Sequence, residues 1–381
     1  MANNNDNKVL NVPPLRFPEF TKEWEEHALA EYLDFKNGLN PDVKRIGRGL
    51  PFISVMDILA DGTINYDSIR GKVEATEREI ENFSVEKGDI LFQRSSETLE
   101  DVGRANVYMD NRTAVYGGFV IRGRKIGDYN PLFFKYLLST PLARKRTCRM
   151  GAGAQHFNIG QGGLSKISLC FPLMEEQNKI ARLLSLIDER IATQNKIIDK
   201  LQSLIKGLRV CCMQRNGSNN VYLSEIAQIY QPQTISSAEL TEDGFLVYGA
   251  NGIIGKYKDY NHKTEQICIT CRGNTCGMVN YTKPMSWITG NAMVINTDKY
   301  QDKVYKKYLY HYLSAYNFNS IISGSGQPQI VRTPLEKLKI TLPTISEQKQ
   351  KAMILDKIQD KIEINHNILN LYILQSIVSA N

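Results

Sequence analysis

One stretch of the chain reads Lys166-Ile-Ser-Leu-Cys-Phe-Pro172-Leu-Met-Glu-Glu176-Gln177-Asn-Lys-Ile-Ala181. A second stretch reads Lys337-Leu-Lys-Ile-Thr-Leu-Pro343-Thr-Ile-Ser-Glu347-Gln348-Lys-Gln-Lys-Ala352. In each, a proline comes before a Glu-Gln pair at the same spacing, and these residues recur 171 positions later without a gap. A duplication explains this agreement better than chance. We therefore predict that the protein contains two copies of one unit and that its function has two parts.

The size and composition of the chain set the outer limits on its class. With 381 residues it is long enough for two domains that each bury a core. Its apolar fraction of 42% and charged fraction of 23% are typical of soluble globular proteins. No apolar run approaches the ~20 residues that span a bilayer, and the polar start of the chain is unlike a secretion signal. We therefore expect a cytoplasmic protein.

The charge and the cysteine content refine this expectation. A formal charge of +7 modestly favours a polyanionic partner, although mild basicity also serves solubility alone. The seven cysteines are an odd number at irregular spacing, which indicates reduced thiols rather than a disulfide framework.

Shifts in composition along the chain predict five segments. We expect an N-terminal arm at 1–20, a first domain at 21–170, a central helix at 171–215, a second domain at 216–341 and a C-terminal helix at 342–381. Both domains alternate short apolar runs with Gly, Asn and Asp turns, which is typical of a strand-rich α+β fold. Each domain also contains a predicted helix, at 130–146 or at about 305–313, followed by a glycine loop. The clearest strand predictions are 51–56, 89–93, 114–116, 119–121, 245–248, 266–270 and 292–295.

The first long helix has a strict heptad pattern, which specifies a coiled coil. Its copy 171 positions later is apolar only in the middle, and extra apolar residues at Ile354, Ile368, Ile373 and Ile377 predict that this second helix also packs on something else. At 1.5 Å per residue the first seam spans about 42 Å, somewhat more than one ~34 Å turn of B-DNA. The first seam consists of Ile180, Leu184, Ile187, Ile191, Gln194, Ile198, Leu201, Ile205 and Leu208.

Gln194 is the one polar residue inside the first seam, and its equivalent 171 positions later is Asn365. If the two helices pair antiparallel about a pseudo-twofold axis, these amides lie opposite one another near the middle. A buried amide pair there would fix the register of the helices. Two independent polar interruptions that face solvent are the alternative.

Polar loops that follow matching strands are the best candidates for ligand contacts. Gln93-Arg94-Ser95-Ser96 follows a predicted strand in the first half, and Arg272-Gly-Asn-Thr275 follows one in the second half. Phosphates favour Arg, Lys and backbone N–H groups, whereas base edges favour Arg, Asn, Gln, Ser and Thr. Each loop alone is also consistent with an ordinary solvated hairpin, so the matched positions carry the prediction. The predicted DNA-binding residues are Gln93, Arg94, Ser95, Ser96, Arg104, Asn106, Tyr248, Asn251, Lys256, Arg272, Asn274 and Thr275.

No catalytic motif in the chain is supported. There is no Gly-x-Ser-x-Gly turn, and no glycine loop leads into the helix start that nucleotide binding requires. Cys268, Cys271 and Cys276, with His262 upstream, have the chemistry of zinc ligands, but Cys268 lies in an apolar, strand-like run. We therefore predict no catalytic or metal-binding residues and keep a zinc-dependent nucleic-acid enzyme as an alternative.

These features together resemble the specificity subunit of a type I restriction-modification enzyme. The two helices with the proline and Glu-Gln pattern carry the resemblance, which covers essentially the whole chain. The second helix departs from the pattern because its seam begins at Lys351 and ends in serines. Further similar stretches are Pro14-Leu-Arg-Phe-Pro-Glu-Phe20 before Trp24, Tyr248-Gly-Ala-Asn-Gly-Ile-Ile-Gly255 and Gly324-Ser-Gly-Gln327.

The resemblance implies an α+β fold in which two pseudo-twofold-related target-recognition domains are joined by two long antiparallel coiled-coil helices. Each domain would read one half of a bipartite DNA target, while the helices would fix the unread spacer and dock two modification subunits. Those subunits would bring S-adenosylmethionine and adenine-N6 chemistry, and restriction subunits would add cleavage that depends on ATP and magnesium. This chain would itself bind no cofactor and catalyse no reaction. A coiled-coil adaptor without DNA affinity is the remaining alternative.

Overall fold

The computed structural model of the protein describes residues 13, 15–153, 155–213, 219–324 and 326–380. The chain divides into two compact units. Unit 1 comprises Met1–Gln194 and Ile368–Asn381, and unit 2 comprises Asn195–Asn367. Both divisions fall inside a long helix, so each unit contains a globular part and a part of each long helix. Most of the predicted N-terminal arm lies outside the described residues.

Unit 1 is built from short strands and helices that lead into one long helix. Its strands are β1 Glu25–Ala28, β2 Leu33–Asn37, β3 Ile46–Ile53, β4 Lys72–Val73, β5 Ser84–Val85, β6 Ile90–Gln93, β7 Ser95–Ser96, β8 Ala105–Val107, β9 Ala114–Tyr116, β10 Val120–Lys125, β11 Phe157–Asn158 and β12 Ser168–Phe171. Its helices are α1 Val55–Leu59, α2 Glu77–Phe83, α3 Pro131–Ser139, α4 Pro141–Cys148, α5 Gln161–Ser165 and α6 Met174–Met213, the last of which continues into unit 2.

Unit 2 repeats the plan with fewer elements. Its strands are β13 Asn219–Tyr222, β14 Gln228–Tyr230, β15 Phe245–Gly249, β16 Gly252–Tyr257, β17 Ile267–Thr270, β18 Val279–Tyr281, β19 Trp287–Ile288, β20 Ala292–Asn296 and β21 Lys339–Leu342. Its helices are α7 Lys306–Ala315, α8 Arg332–Glu336 and α9 Ile345–Ala380, whose last part returns to unit 1. The strands and the helix that the sequence predicts for this half are confirmed.

The central sheets of the two units have the same topology. The central sheet of unit 1 has the order β2-β10-β6-β8 and that of unit 2 the order β14-β20-β17-β18, and every pairing within them is antiparallel. Each unit adds a side sheet that contains one parallel pair, β3 with β9 or β15 with β19. The middle strands β6 and β17 are buried along their whole length, because both of their edges are paired and their apolar side chains pack into the cores.

The segment 130–146, predicted as one helix, is in fact two helices. Asn130 caps α3 by accepting a hydrogen bond from the backbone N–H of Phe133 at 3.0 Å. The helix ends at Ser139 because Pro141 disfavours a helical conformation at the residue before it. Thr140 then caps α4 by accepting from the backbone N–H of Ala143 at 3.3 Å. The helical periodicity of the sequence did not reveal this break.

The glutamine of the duplicated Glu-Gln pair is a buried connector. The side-chain N–H of Gln177 donates to the carbonyl of Pro172 at 3.0 Å, and its side-chain oxygen accepts from the backbone N–H of Asn130 at 3.0 Å. Gln348 binds the backbone N–H of Tyr305 in the same way at 2.8 Å. In both units this side chain ties the start of a long helix to the start of the helix that covers the central sheet.

The glutamate of the pair differs between the units. Glu176 is buried, and it accepts hydrogen bonds from Arg16 at 2.7 Å and from the indole N–H of Trp24 at 3.3 Å. Glu347 is exposed and instead accepts from the backbone N–H of Thr344 at 3.0 Å, as a capping residue of α9. The described part of the N-terminal arm is therefore anchored on α6.

The long helices carry the predicted seam. In α6 each seam position is buried or half-buried, and the same holds in α9 for the positions from Lys351 to Ser376 that lie 171 residues further on. Within unit 2 the seam residues Ile205, Leu355 and Ile362 share one apolar cluster, and Lys351 donates to the carbonyl of Cys212 at 3.1 Å. Since the end of α6 lies beside the first turns of α9 and the earlier Ile205 contacts positions further along α9, the two helices are antiparallel in this unit.

The two predicted register residues lie in different units. Gln194 is buried at the end of the α6 segment of unit 1. Asn365, in unit 2, is half-buried and donates to the carbonyl of Lys361 at 2.6 Å. Their role in fixing the register of the helices stays a prediction.

Candidate nucleic-acid interface

In unit 1 the polar loop after β6 pairs with the glycine loop at residues 151–158. Ser95 and Ser96 form the short strand β7, which pairs antiparallel with β11 in that loop. The hydroxyl of Ser95 donates to the side-chain oxygen of Asn158, and the backbone N–H of Ile159 donates to the carbonyl of Arg94 at 3.0 Å. The two loops therefore form one polar surface at the end of the central sheet.

A third segment of unit 1, the turn at residues 117–119, borders the same loop. The backbone N–H of Arg94 donates to the carbonyl of Phe119 at 2.9 Å, and its guanidinium donates to the carbonyl of Gly118 at 3.3 Å. Arg94 is half-buried, whereas Phe119 is exposed. The loop after β6 thus lies between this turn on one side and the glycine loop on the other.

Unit 2 brings together the corresponding three segments. The backbone N–H of Gly273 donates to the carbonyl of Pro328 at 3.0 Å, and that of Ile330 donates to the carbonyl of Cys271 at 3.0 Å. Arg272 forms an antiparallel bridge with Gln329 of the glycine loop at residues 324–329. The backbone N–H of Cys271 donates to the carbonyl of Asn291, which stands where Phe119 stands in unit 1.

The glycine loops themselves are closed in the same way. Ala152 and Asn158 exchange two backbone hydrogen bonds of 2.9 Å, and Ser323 and Gln329 exchange two of 2.9 and 2.8 Å. Both pairs are related by the offset of 171 residues found in the long helices. The duplication therefore extends from the helices into the polar loops, although the loop sequences differ.

The predicted DNA-binding residues fall into three groups by exposure. Arg104, Asn251, Arg272 and Asn274 are exposed, and Arg94, Ser95, Ser96, Lys256 and Thr275 are half-buried. The third group is buried and hydrogen-bonded within its own unit. In unit 1, Gln93 donates to the carbonyl of Ser95 at 2.9 Å, and Asn106 donates to the carbonyl of Ile58 at 3.3 Å. In unit 2, the Tyr248 hydroxyl accepts from the backbone N–H of Lys283 at 3.1 Å. Their burial favours a role in holding the loops in shape.

Two of the predicted basic residues form exposed ion pairs. Arg104 lies 2.7 Å from Asp101, and Lys256 lies 3.5 Å from Asp243. Exposed pairs of this kind contribute only ~0–1 kcal/mol, so a phosphate can compete for either cation at little cost. In unit 2 the hydroxyl of Thr275 donates to the side-chain oxygen of Asn251, which joins the two predicted loops.

The sequence-based prediction missed Asn158, Phe119 and Gln329. Asn158 and Gln329 are exposed residues of the glycine loops, and they stand directly beside the predicted segments. The offset of 171 residues relates them to one another and was the signal that could have identified them. No comparable signal marked Phe119, because its place beside Arg94 depends on the pairing of β6 with β10.

Two of the cysteines considered as zinc ligands, Cys268 and Cys271, are buried in the core of unit 2, and Cys276 is half-buried. Cys268 is buried in β17, where burial raises the pKa of its thiol. The sulfur of Cys271 lies 3.2 Å from the side-chain nitrogen of Gln231. Burial lowers the pKa of His262, whose ring stacks on Tyr230 and lies 2.8 Å from its hydroxyl. In the part of the chain that the structure describes, no three His, Cys, Asp or Glu side chains are grouped to hold a metal ion.

Two strand-rich domains with matching polar loops, each continuous with paired long helices, define a two-domain recognition subunit. The chain matches the family model described as "Type I restriction modification DNA specificity domain" twice, at residues 21–203 and 216–371. It belongs to this family, the DNA specificity subunits of type I restriction-modification systems. The resemblance inferred from the helices, and with it the prediction of a DNA sequence-specificity function, is confirmed.

Individual relatives agree with the family match. The chain is 26% identical to the type I restriction enzyme MjaVIII specificity subunit of Methanocaldococcus jannaschii, over 92% of this chain and 88% of that protein. It is 32% identical to the type I restriction enzyme EcoprrI specificity subunit of Escherichia coli, over 35% of this chain and 34% of that one.

Solved structures show the same fold. The S subunit of a type I restriction-modification system from M. genitalium superimposes with a TM-score of 0.68 at 15% identity, covering 94% of this chain and 95% of that one. The prediction of an α+β fold with two recognition domains and long paired helices is therefore confirmed. Among the described residues, no helix is both long and apolar enough to cross a membrane.

Proposed function

We propose that each unit reads one half of a bipartite DNA target through its three clustered loop segments. The observation that carries this proposal is the common geometry of the two clusters, in which the loop after β6 or β17 pairs with a glycine loop and borders the turn before β10 or β20. A loop held on both sides by backbone hydrogen bonds presents its side chains with little loss of entropy on binding.

The two clusters offer different side chains, which supports two different half-sites. Unit 1 presents Ser95, Ser96 and Asn158, whose short polar groups donate to and accept from base edges. Unit 2 presents Arg272 and Asn274, and arginine suits the paired acceptors of guanine. Two readers of one split sequence require the same backbone geometry and different side chains.

The long helices would set the number of unread base pairs and would dock two modification subunits. The support for docking is the set of large apolar side chains that α9 leaves 55% to 65% exposed. Ile354, one of the residues predicted to pack outside the seam, is among them. Exposed apolar residues that recur along a helix are typical of a protein interface. They are Met353, Ile354, Ile364, Leu371 and Leu374.

In this assignment the chain supplies recognition and its partners supply chemistry. The modification subunits would bring S-adenosylmethionine for methylation of adenine, and restriction subunits would add cleavage that depends on ATP and magnesium. The chain would itself be non-catalytic, bind no cofactor, and act in the cytoplasm.

The proposal is tested by sequencing methylated adenines in cells that carry this chain and its modification subunits. A first variant replaces Ser95 and Asn158 with Ala, and a second replaces Arg272 and Asn274 with Ala. We expect each variant to relax one half of the target and to leave the other half and the spacer unchanged. Equal loss at both halves would contradict separate readers, and the absence of salt-dependent binding to duplex DNA by the assembled complex would favour an adaptor.

A further inference from the structure

Phe119 is an exposed aromatic residue inside the polar cluster of unit 1. Its side chain is 69% exposed, whereas its neighbour Val120 is fully buried in β10. Its carbonyl accepts from the backbone N–H of Arg94, and the carbonyl of Arg94 in turn accepts from Ile159 beside the glycine loop. Phe119 therefore lies just before the start of β10 beside Arg94, and the loop that carries Arg94 separates it from the glycine loop.

The turn that carries Phe119 packs closely against neighbouring segments. A Cβ atom on Gly118 would lie 1.8 Å from the side-chain oxygen of Asn40, and one on Gly38 would lie 2.1 Å from the carbonyl oxygen of Gly117. The backbone N–H of Gly117 also donates to the carbonyl of Ile53 at 2.9 Å. At Gly38 the obstacle is backbone, so only glycine fits there, and the backbone position of Phe119 is set before any ligand binds.

The residues around Phe119 bind polar groups, and Phe119 cannot. Ser95 and Asn158 have the donors and acceptors that suit base edges and phosphates. The apolar group that a base offers in the major groove is the C5-methyl of thymine, which phenylalanine contacts in the general code of direct readout. In unit 2 the equivalent position is Asn291, an exposed amide that suits a hydrogen bond instead.

We propose that Phe119 determines specificity by contacting the C5-methyl group of a thymine in the half-site read by unit 1. This inference rests on the proposed function, since it requires unit 1 to face duplex DNA through the loop cluster. It predicts an A·T pair in that half-site. It predicts no contact with a thymine methyl group for the turn before β20 in unit 2.

The test uses the full chain assembled with its modification subunits and a duplex that carries the target found by sequencing methylated adenines. Each thymine of the unit 1 half-site is replaced in turn by uracil, which lacks only the methyl group. At one position we expect the wild-type complex to bind uracil roughly fourfold more weakly, which corresponds to about 0.8 kcal/mol for one buried methyl group. The Phe119→Ala complex should bind thymine and uracil equally at that position.

The control variant is Ile126→Ala, which removes a side chain that is 60% exposed just beyond the other end of β10. It should keep the wild-type preference for thymine. The inference is overturned if no thymine of the half-site is sensitive in the wild type, or if Phe119→Ala still prefers thymine to the same degree. Failure of the proposed function has a different signature, because substitutions at Ser95 and Asn158 would then leave both half-sites of the methylated target unchanged.

Discussion

Gln177 accepts a hydrogen bond from the backbone N–H of Asn130 at 3.0 Å, which joins the start of α6 to the start of α3. Its side-chain N–H donates at the same time to the carbonyl of Pro172. One planar amide therefore satisfies a donor and an acceptor at once, and a carboxylate or an ammonium group cannot do both. Gln348 repeats the arrangement in unit 2, which explains the glutamine of the duplicated motif physically.

Replacing Gln177 with Ala should lower the free energy of unfolding by about 1–3 kcal/mol, because it leaves the N–H of Asn130 partly buried without its partner. Urea denaturation measures this change. Gln177→Glu should also destabilise, since a carboxylate cannot donate to the carbonyl of Pro172. Gln202→Ala, an exposed position on the same helix, is the control. If Gln177→Ala and Gln202→Ala are equally stable, the connector role is wrong.

Unit 2 should lose stability in mild acid through His311. This fully buried ring accepts a hydrogen bond from Arg209 at 3.2 Å and donates one to Asp356 at 3.0 Å, so it is neutral. Burial lowers the pKa of His311 below its ordinary 6.5, although the bond to Asp356 opposes the shift. The unfolded chain therefore binds a proton more readily than the folded one, and stability falls as the pH drops through about 6.5.

Asp356 should add to this loss at lower pH. Burial alone would raise the pKa of Asp356, but hydrogen bonds from His311 and Lys307 lower it overall. Its stabilising contribution is therefore present above its ordinary pKa and is lost as the pH falls below it.

Urea denaturation at pH 7.5 and 5.5 isolates the histidine effect. The free energy of unfolding of His311→Gln should decrease less over this interval than that of the wild type. The decrease that remains comes from His262, whose pKa burial also lowers. A decrease as large as in the wild type would refute the assignment.

Arg272→Ala should relax recognition of the half-site read by unit 2. The loss of a bidentate contact to a base costs about 1–3 kcal/mol of discrimination at one base pair. Arg272→Lys is the matched variant, because it keeps the positive charge but not the planar fork. It should preserve the salt dependence of binding and still lose discrimination. If Arg272→Lys retains full specificity, the residue contacts phosphate rather than a base.

Inserting four residues after Gln194 should lengthen the unread spacer of the target. Four helical residues add about 6 Å, which corresponds to roughly two base pairs of B-DNA. Sequencing of methylated adenines reports the spacer directly. Substituting the exposed Asn195 and Lys196 with Ala changes no length and should leave the spacer unchanged. A retained spacer with retained activity in the insertion variant would exclude the helices as its determinant.

Much of the architecture follows from patterns that are local in the sequence. The heptad seam of α6 predicts a buried stripe because side chains at these intervals share one helix face whatever the rest of the chain does. The strands β6 and β17 were predicted for a similar reason, as short apolar runs bounded by turns. Where a local signal conflicted with periodicity, as Pro141 did inside the segment 130–146, the backbone restriction before proline prevailed.

The candidate site shows the limit of such patterns. Arg272 and Asn274 lie in an exposed loop, as expected for residues that contact a ligand, but Gln93, Asn106 and Tyr248 are buried and bonded within their units. All five are polar residues near strand ends, and the sequence does not distinguish them. Exposure depends on which segments cover each strand, and those segments come from distant parts of the chain.

The duplicated helices and their heptad seam were already determined by the order of residues, because helical periodicity acts over a few positions. Only tertiary structure decided which polar side chains reach solvent and which loops meet. Phe119 stands beside Arg94, and Asn158 beside Ser95, because strands far apart in sequence pair through their backbones. Backbone pairing is nearly independent of side-chain identity, so the two units keep one geometry while their loops present different chemistry.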